Sequence, residues 1–182
     1  MDRFALFSEC LLLGVWITGG ALPLFTFPAA FAAGTRHLRR YLAGEHGGLR
    51  EFALDARAAA RGGWAVGAAV WAAGALLLLD LAAVRAGLPG GPLVGAVGVV
   101  AMIGFLVAVV RAASRWEPGA RWPALLADAG RRTVTDPAGS LLLVCGMAVV
   151  VLSGALVLPL AVPVLGAVAA AATAVRQRDL SR

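Results

Sequence analysis

Four stretches without a charged side chain divide the chain: Cys10–Thr35, Gly62–Leu79, Ala86–Val110 and Pro137–Val175. At about 1.5 Å of rise per helical residue, the last would form a rod of roughly 58 Å, nearly twice the hydrocarbon core of a bilayer. Pro159 and Pro163 sit where a turn between two crossings would fall. Each of the other three is long enough for one crossing of about 20 residues, the second once it is extended past Asp80 to Val84. Between the second and third, Arg85-Ala86-Gly87-Leu88-Pro89-Gly90-Gly91-Pro92 is dense in turn formers and reads as a tight hairpin. Backbone groups in lipid need partners within their own segment, and nothing alternates as barrel strands do. The pattern predicts an all-α, polytopic transmembrane bundle of about five helices in one membrane domain spanning 1–182. Crossings fall near 7–33, 62–84, 90–110, 138–158 and 160–175, the first broken at Pro23 and Pro28.

The arginines orient this arrangement. Six lie between Arg36 and Arg61, five between Arg111 and Arg132, and three after Val175. Placing those regions in the cytoplasm leaves only Arg3 and Arg85 outside, which gives cytoplasmic loops 36–61 and 111–136 in an inner membrane. With five crossings the N-terminus is external and the C-terminus cytoplasmic. A re-entrant first run, turned back at Pro23 and Pro28, would leave four crossings with both ends inside, and arginine counting does not separate the two. The length of the first run favours five.

Within the loops, Pro28 to Leu42 reads as a helix that leaves the membrane with Arg36, Arg39 and Arg40 as interface anchors on its exposed end. Gly44, Gly47 and Gly48 break it. Leu49 to Ala60 reads as a short amphipathic helix with Phe52 opposed to Arg50, Asp55 and Arg57, lying at the lipid interface or on a partner. Trp116 and Trp122, around Pro118-Gly119 and Pro123, are expected interfacial anchors. A short helix from Ala124 to Arg132 follows.

Composition agrees and adds one warning. The 182 residues are 60% apolar and 14% charged, with mean hydropathy +0.85, outside the range of ordinary soluble domains. Net charge is +6 and every basic residue is arginine, with no lysine. That bias fits a GC-rich genome, so an alanine or glycine here can owe its place to mutation pressure rather than packing. Because the arginines cluster between apolar runs, the high charge points to membrane lipid as the partner and away from nucleic acid. Cys10 and Cys145 stand alone in apolar stretches and read as packing residues. Ala30-Phe31-Ala32 resembles a signal-peptide cleavage site. Asp2 and Glu9 before it and Arg36 to Arg40 after it argue for an uncleaved segment.

Candidate chemistry is sparse. Ionisable groups within membrane segments are the first functional suspects, and Glu9 and Asp80 are the two. They could share a cation or proton between the first and second helices. Alternatively each is solvated near a helix end, Glu9 reaching Arg3 and Asp80 reaching Arg85, the reading the positions favour. Trp16 and Trp71 read as packing rings more than sugar-stacking faces. Gly63/Gly67 and Gly91/Gly95 have small-xxx-small spacing, a signal diluted by the glycine bias. His37 and His46, both in an arginine-rich loop, make no metal set, and HExxH, GxSxG and GxxxxGK[ST] are missing. Ser140 and Ser153 have no base in their run. The expectation is a protein that is not an enzyme, with no catalytic residue, metal or cofactor.

The order of features resembles a known family. Leu22-Pro23-Leu24-Phe25-Thr26-Phe27-Pro28-Ala29 resembles the lPxxTxxpA break in the first helix of the YesL-like bacterial membrane proteins, a family of undefined function. The likeness continues through Arg36 to Tyr41, Leu49-Arg50-Glu51-Phe52, Leu78-Leu79-Asp80-Leu81, and Arg115-Trp116 to Pro137. It covers nearly the whole chain, with Pro-x-x-Thr its most specific part. The chain departs in having Gly14 near a position where the family carries an asparagine. The resemblance implies a cytoplasmic-membrane protein encoded beside sugar-uptake genes, an accessory to an ABC-type sugar importer, and supplies no catalytic residue. Two functions follow: an accessory protein that binds importer subunits, or a small permease or channel in which Glu9, Thr26 and Asp80 line a path beside the Pro23–Pro28 break.

Overall fold

Glycine spacing sets the central pair of helices. Gly91, Gly95 and Gly98 recur along one side of a helix and meet Val84, Leu81, Asp80 and Leu77 of its neighbour, with Gly74 facing Met102 further along. The descending residue numbers on one side against ascending numbers on the other make the pair antiparallel. Small residues at this spacing let two backbones close without an apolar driving force between them. The Gly91/Gly95 and Gly63/Gly67 pairs therefore mark real close approaches, which composition alone had discounted.

The computed structural model describes residues 3–21, 24–45, 47–87, 90–156 and 161–180. Among these the regular structure is all helical: α1 (Arg3–Gly20), a 3₁₀ turn (Leu24–Thr26), α2 (Phe27–Leu42), α3 (Leu49–Arg85), α4 (Gly91–Ser114), α5 (Trp122–Thr135), α6 (Pro137–Leu156) and α7 (Ala161–Leu180). α3 and α4 are each long and apolar enough to cross a membrane; α5 and α6, bent at 105°, make a third span if counted as one. These helices mark the chain as a membrane protein. α6 and α7 divide the long uncharged run and pack together, Val168 against Gly146. Pro159 lies outside the described residues.

The first run differs from the single broken crossing expected near 7–33. It folds as two arms laid side by side: Gly20 abuts Ala30, Gly34 abuts Ile17 and Leu13, and Glu9 meets His37. The pairing is again antiparallel. Pro28 sits in the first turn of α2, where a missing N–H removes no helical bond. The Thr26 hydroxyl donates to Gly20 O at 2.6 Å and ties the two arms at their turn. Pro23 lies outside the described residues.

The turn leans on α3. The Phe25 backbone lies against Gly67, where any Cβ would collide with it, and the Phe25 ring is 6.2 Å from Trp71. Measured from Gly62, those contacts fall roughly 8 to 14 Å along α3, against about 35 Å from Gly62 to Arg85. The turn thus reaches less than halfway along the apolar part of α3.

α3 itself breaks at Arg61 (ψ 90°) and Gly62 (φ +100°, ψ −27°), conformations outside the helical region. Only glycine takes such a φ readily. The segment before the break is the amphipathic helix expected from Leu49 to Ala60, but its buried side differs from the sequence reading. Asp55 lies inward with Phe52 and Ala59, rather than opposed to Phe52. α5 is longer than the helix expected over Ala124–Arg132 and starts at Trp122.

The core sits toward the arginine-rich end. Leu13, Ile17, Phe31, Leu38, Val107 and Val109 are fully buried there, joined by Ala169 and Ala172 of α7. At the opposite end, Leu76, Leu78, Leu79, Leu93, Val97 and Val100 of the α3–α4 pair face outward. One end is packed as protein; the other is a two-helix projection coated in large apolar side chains.

Candidate functional site

Asp80 occupies a cleft of about 200 Å³ between α3 and α4, walled by Leu76, Leu77, Gly98, Met102 and Phe105. Gly98 makes room for it: a Cβ there would lie 2.9 Å from Asp80 Oδ2. The carboxylate is half-buried. Among the described residues it has no ion-pair partner, and the expected contact with Arg85 is not made. Five residues separate it from Arg85, about 8 Å of helix, so it stands near the end of the span, where an acidic group costs least.

Glu9 lies in different surroundings. Its Oε1 is 2.7 Å from Nε2 of His37. His37 is only 2% exposed, covered by the edge of Trp16 at 5.1 Å, which in turn meets Phe52 at 5.6 Å. The structure therefore does not bring Glu9 and Asp80 into one site. Glu9 is held beside a residue of the arginine-rich segment, and Thr26 is engaged within its own turn.

That segment is densely connected by ion pairs and hydrogen bonds. Arg36 pairs with Asp55 and, at 3.4 Å, with Glu117. Arg39 donates to Glu117 Oε1 at 2.6 Å, to Trp116 O at 3.0 Å and to Ser114 O. Ser114 O is the last carbonyl of α4 and Trp116 O lies two residues beyond it, so a cation there answers a free helix-end carbonyl and the helix dipole together. Arg40 reaches Glu45 at 3.3 Å, Glu51 at 3.4 Å and Asp55 at 3.5 Å. Arg176 of α7 approaches Glu117 at 3.9 Å. Burial and the nearby Arg176 both lower the pKa of Arg39, with Glu117 opposing them. The lattice ties α2, α3, α7 and the α4–α5 connection together, so Arg36, Arg39 and Arg40 hold protein to protein where lipid anchoring was expected.

A second charged joint lies deeper. Arg111, 2% exposed, donates from Nη2 to Asp136 Oδ2 at 2.9 Å and to Ser140 Oγ at 3.3 Å. Asp136 also accepts from Gly139 N–H at 3.2 Å, capping the start of α6. Gly139 has no alternative, since a Cβ would collide with the Asp136 carboxylate. Sequence reasoning passed over this joint. Its signal was an Asp before Pro137, a start-of-helix pattern, and an Arg closing an apolar run.

The tryptophans expected as interface anchors are interior: Trp116 is 2% and Trp122 3% exposed. Trp122 Nε1 donates to Ala59 O at 2.9 Å. In an unbroken helix that carbonyl would bond Gly63 N–H; the break at Arg61–Gly62 frees it, and the indole takes the place of the lost donor. The ring packs on the same break, 3.1 Å from where a Cβ on Gly62 would be and 3.2 Å from one on Gly63. No histidine, cysteine and acidic grouping among the described residues has the makings of a metal site. No family model, curated protein or solved structure matches the chain.

Proposed function

We propose that this chain is a multi-pass accessory protein of the cytoplasmic membrane, built to bind other membrane subunits. The observation that supports it most is the contrast between its two ends. The arginine-rich end is locked by ion pairs, while the α3–α4 projection presents large apolar side chains around a carboxylate that has no partner among the described residues. A helix from another subunit carrying a donor group would complete Asp80 and cover that surface. The resemblance to YesL-like proteins makes ABC-type sugar-importer subunits the partners to test.

The arginine distribution supports a cytoplasmic side for the locked end. Because Glu9 sits beside His37 and the Phe25 turn stops less than halfway along the apolar part of α3, we read α1 and α2 as a re-entrant hairpin. The N-terminus then shares the cytoplasmic side with the C-terminus, in place of the external N-terminus of the five-crossing arrangement. In this reading the protein carries no catalytic function.

The test is co-purification in mild detergent from its native host, with wild type beside Asp80→Asn and Gly98→Leu. Transporter subunits should enrich with wild type and fall away with both variants. A wild-type protein that runs alone ends the accessory reading. A second reading, a small permease, draws on the hairpin turn packed against the middle of α3, the type of helix interruption that lines transport sites. Purified protein in liposomes would then move a solute, and Asp80→Asn would change the flux; no flux removes this reading.

A further inference from the structure

The break in α3 opens a second cavity, of about 490 Å³, between α3 and α5. It starts at Arg61 and Gly62, is floored by Trp122, and continues past Ala65 and Ala69 with Leu126 on the facing wall. Its two ends differ in chemistry. Arg61 and Arg121 are at one end; from there the groove follows α3 into its apolar stretch. Both arginines are exposed, and among the described residues neither pairs with a carboxylate. Arg36, Arg39, Arg40, Arg111, Arg115, Arg131, Arg132 and Arg176 all do; Arg50, Arg57 and Arg85 are exposed and, among the described residues, unpaired as well but do not line this cavity.

From this geometry we infer that the groove holds one acidic phospholipid of the arginine-side leaflet, its phosphate between Arg61 and Arg121 and an acyl chain along Ala65 and Ala69. Three observations select that occupant. Two uncompensated guanidiniums call for an anion. The apolar groove that begins between them calls for a hydrocarbon tail joined to that anion. The groove starts where the apolar part of α3 starts, which is the depth of a headgroup, and runs the way an acyl chain runs. A soluble phosphate would leave the apolar walls uncovered, and a neutral lipid would leave both charges unanswered. Trp122, fixed by its bond to Ala59 O and its seat on Gly62 and Gly63, keeps the floor of the groove in place.

The inference is independent of any importer partner and is tested on the purified chain. Native mass spectrometry in detergent, with phosphatidylglycerol and phosphatidylcholine titrated separately, should show one phosphatidylglycerol retained at lipid levels where phosphatidylcholine is not. A juxtamembrane arginine contributes roughly fivefold in affinity for anionic lipid, about 1 kcal/mol. The double variant Arg61→Gln/Arg121→Gln should therefore lose about 25-fold of that retention. Arg50→Gln/Arg57→Gln removes two exposed arginines outside the groove and should leave it unchanged. Ala69→Phe fills the groove without altering charge and should also release the lipid. Equal losses from the two arginine pairs would show unspecific attraction to the surface and overturn the site. Retention by Ala69→Phe together with displacement by glycerol phosphate would show a bare phosphate site and overturn the lipid.

Discussion

The joint between Arg111 and Asp136 offers the sharpest test of how the locked end is held. Both side chains are nearly sealed from solvent, 2% and 11% exposed, with Nη2 and Oδ2 at 2.9 Å. Arg111→Met takes one partner away from a buried ion pair held at 2.9 Å, a loss that costs about 3 to 5 kcal/mol. That is roughly a 160- to 5,000-fold rise in the unfolding equilibrium constant at 25 °C. Asp136→Asn should also destabilise the protein, by about 1 to 3 kcal/mol, because its single amide oxygen can keep either the α6 cap or the bond from Arg111 but not both, and its amide nitrogen then faces the other donor. The double variant Arg111→Met/Asp136→Leu removes both charges and should recover most of the loss, since a buried pair contributes little net stability over apolar side chains of similar size. The α6 cap goes with it, at about 1 kcal/mol. Reversible unfolding by sodium dodecyl sulfate in mixed micelles, followed by tryptophan fluorescence, measures all four proteins. If Arg111→Met lies within about 1 kcal/mol of wild type, or if the double variant is worse than either single one, the pair is not a desolvated joint.

Three further outcomes follow from particular residues. Gly67→Ala should destabilise the protein by about 1 to 3 kcal/mol, because the new methyl meets the Phe25 backbone and not a side chain that can swing away. Gly104→Ala, with open space around it, should be neutral or stabilising by up to about 1 kcal/mol, and the same detergent titration compares them. Partial burial works to raise the pKa of Asp128, but the hydrogen bond and charge of Arg132, with Arg115 and Arg131, outweigh it and hold the carboxyl below its ordinary value. A depressed folded-state pKa adds stability above the unfolded-state value, near 3.9, that is lost as pH falls through the folded-state value. Wild-type thermal stability should therefore drop more steeply below about pH 4 than that of Asp128→Asn. Finally, an N-terminal epitope tag and Glu45→Cys in a cysteine-free background should be reached from the same side of right-side-out and inverted vesicles. Access from opposite sides would restore the five-crossing arrangement.

Much of the helical content was legible in charge spacing, because a bilayer-length run without a charge has few alternatives to a helix. α3, α4 and the division of the long run into α6 and α7 came from that rule, and so did the amphipathic segment before Gly62. What escaped were relations between segments. The first run is 26 residues without a charge, which length alone assigns to one crossing; the contacts of Gly20 and Gly34 with the opposite arm, with those of Glu9 and Thr26, show that it doubles back. Asp55 looked solvent-facing because its partners, Arg36 and Arg40, come from another helix and make burying a carboxylate tolerable. Trp116 and Trp122 matched the positions of interface anchors, but a helix break in a different segment had left a carbonyl that Trp122 could satisfy.

The same glycines that composition made suspect turn out to divide the molecule. Gly62 and Gly63 admit Trp122, Gly67 admits the Phe25 turn, and Gly34 admits Ile17, so the arginine-rich half closes on itself. Beyond Trp71, glycines meet only the facing helix, Gly91 and Gly95 against Val84 and Gly98 against Asp80. Among the described residues, the contacts of the turn between α1 and α2 with α3 are at Gly67 and Trp71, short of that region. In lipid, outward Leu76, Leu79 and Val97 lose little by lacking a protein neighbour, since lipid tails are as apolar as leucine. What sets that half apart is the acidic group that Gly98 seats between α3 and α4 near the end of the span, where a donor from another helix can meet it. For this reason Gly98→Leu is more informative than Asp80→Asn: it evicts the carboxylate from its seat without removing the charge. If both variants lose partners equally, the seat matters as much as the acid. If Gly98→Leu is silent, Asp80 acts as a charge near the membrane surface and the cleft has no part in binding.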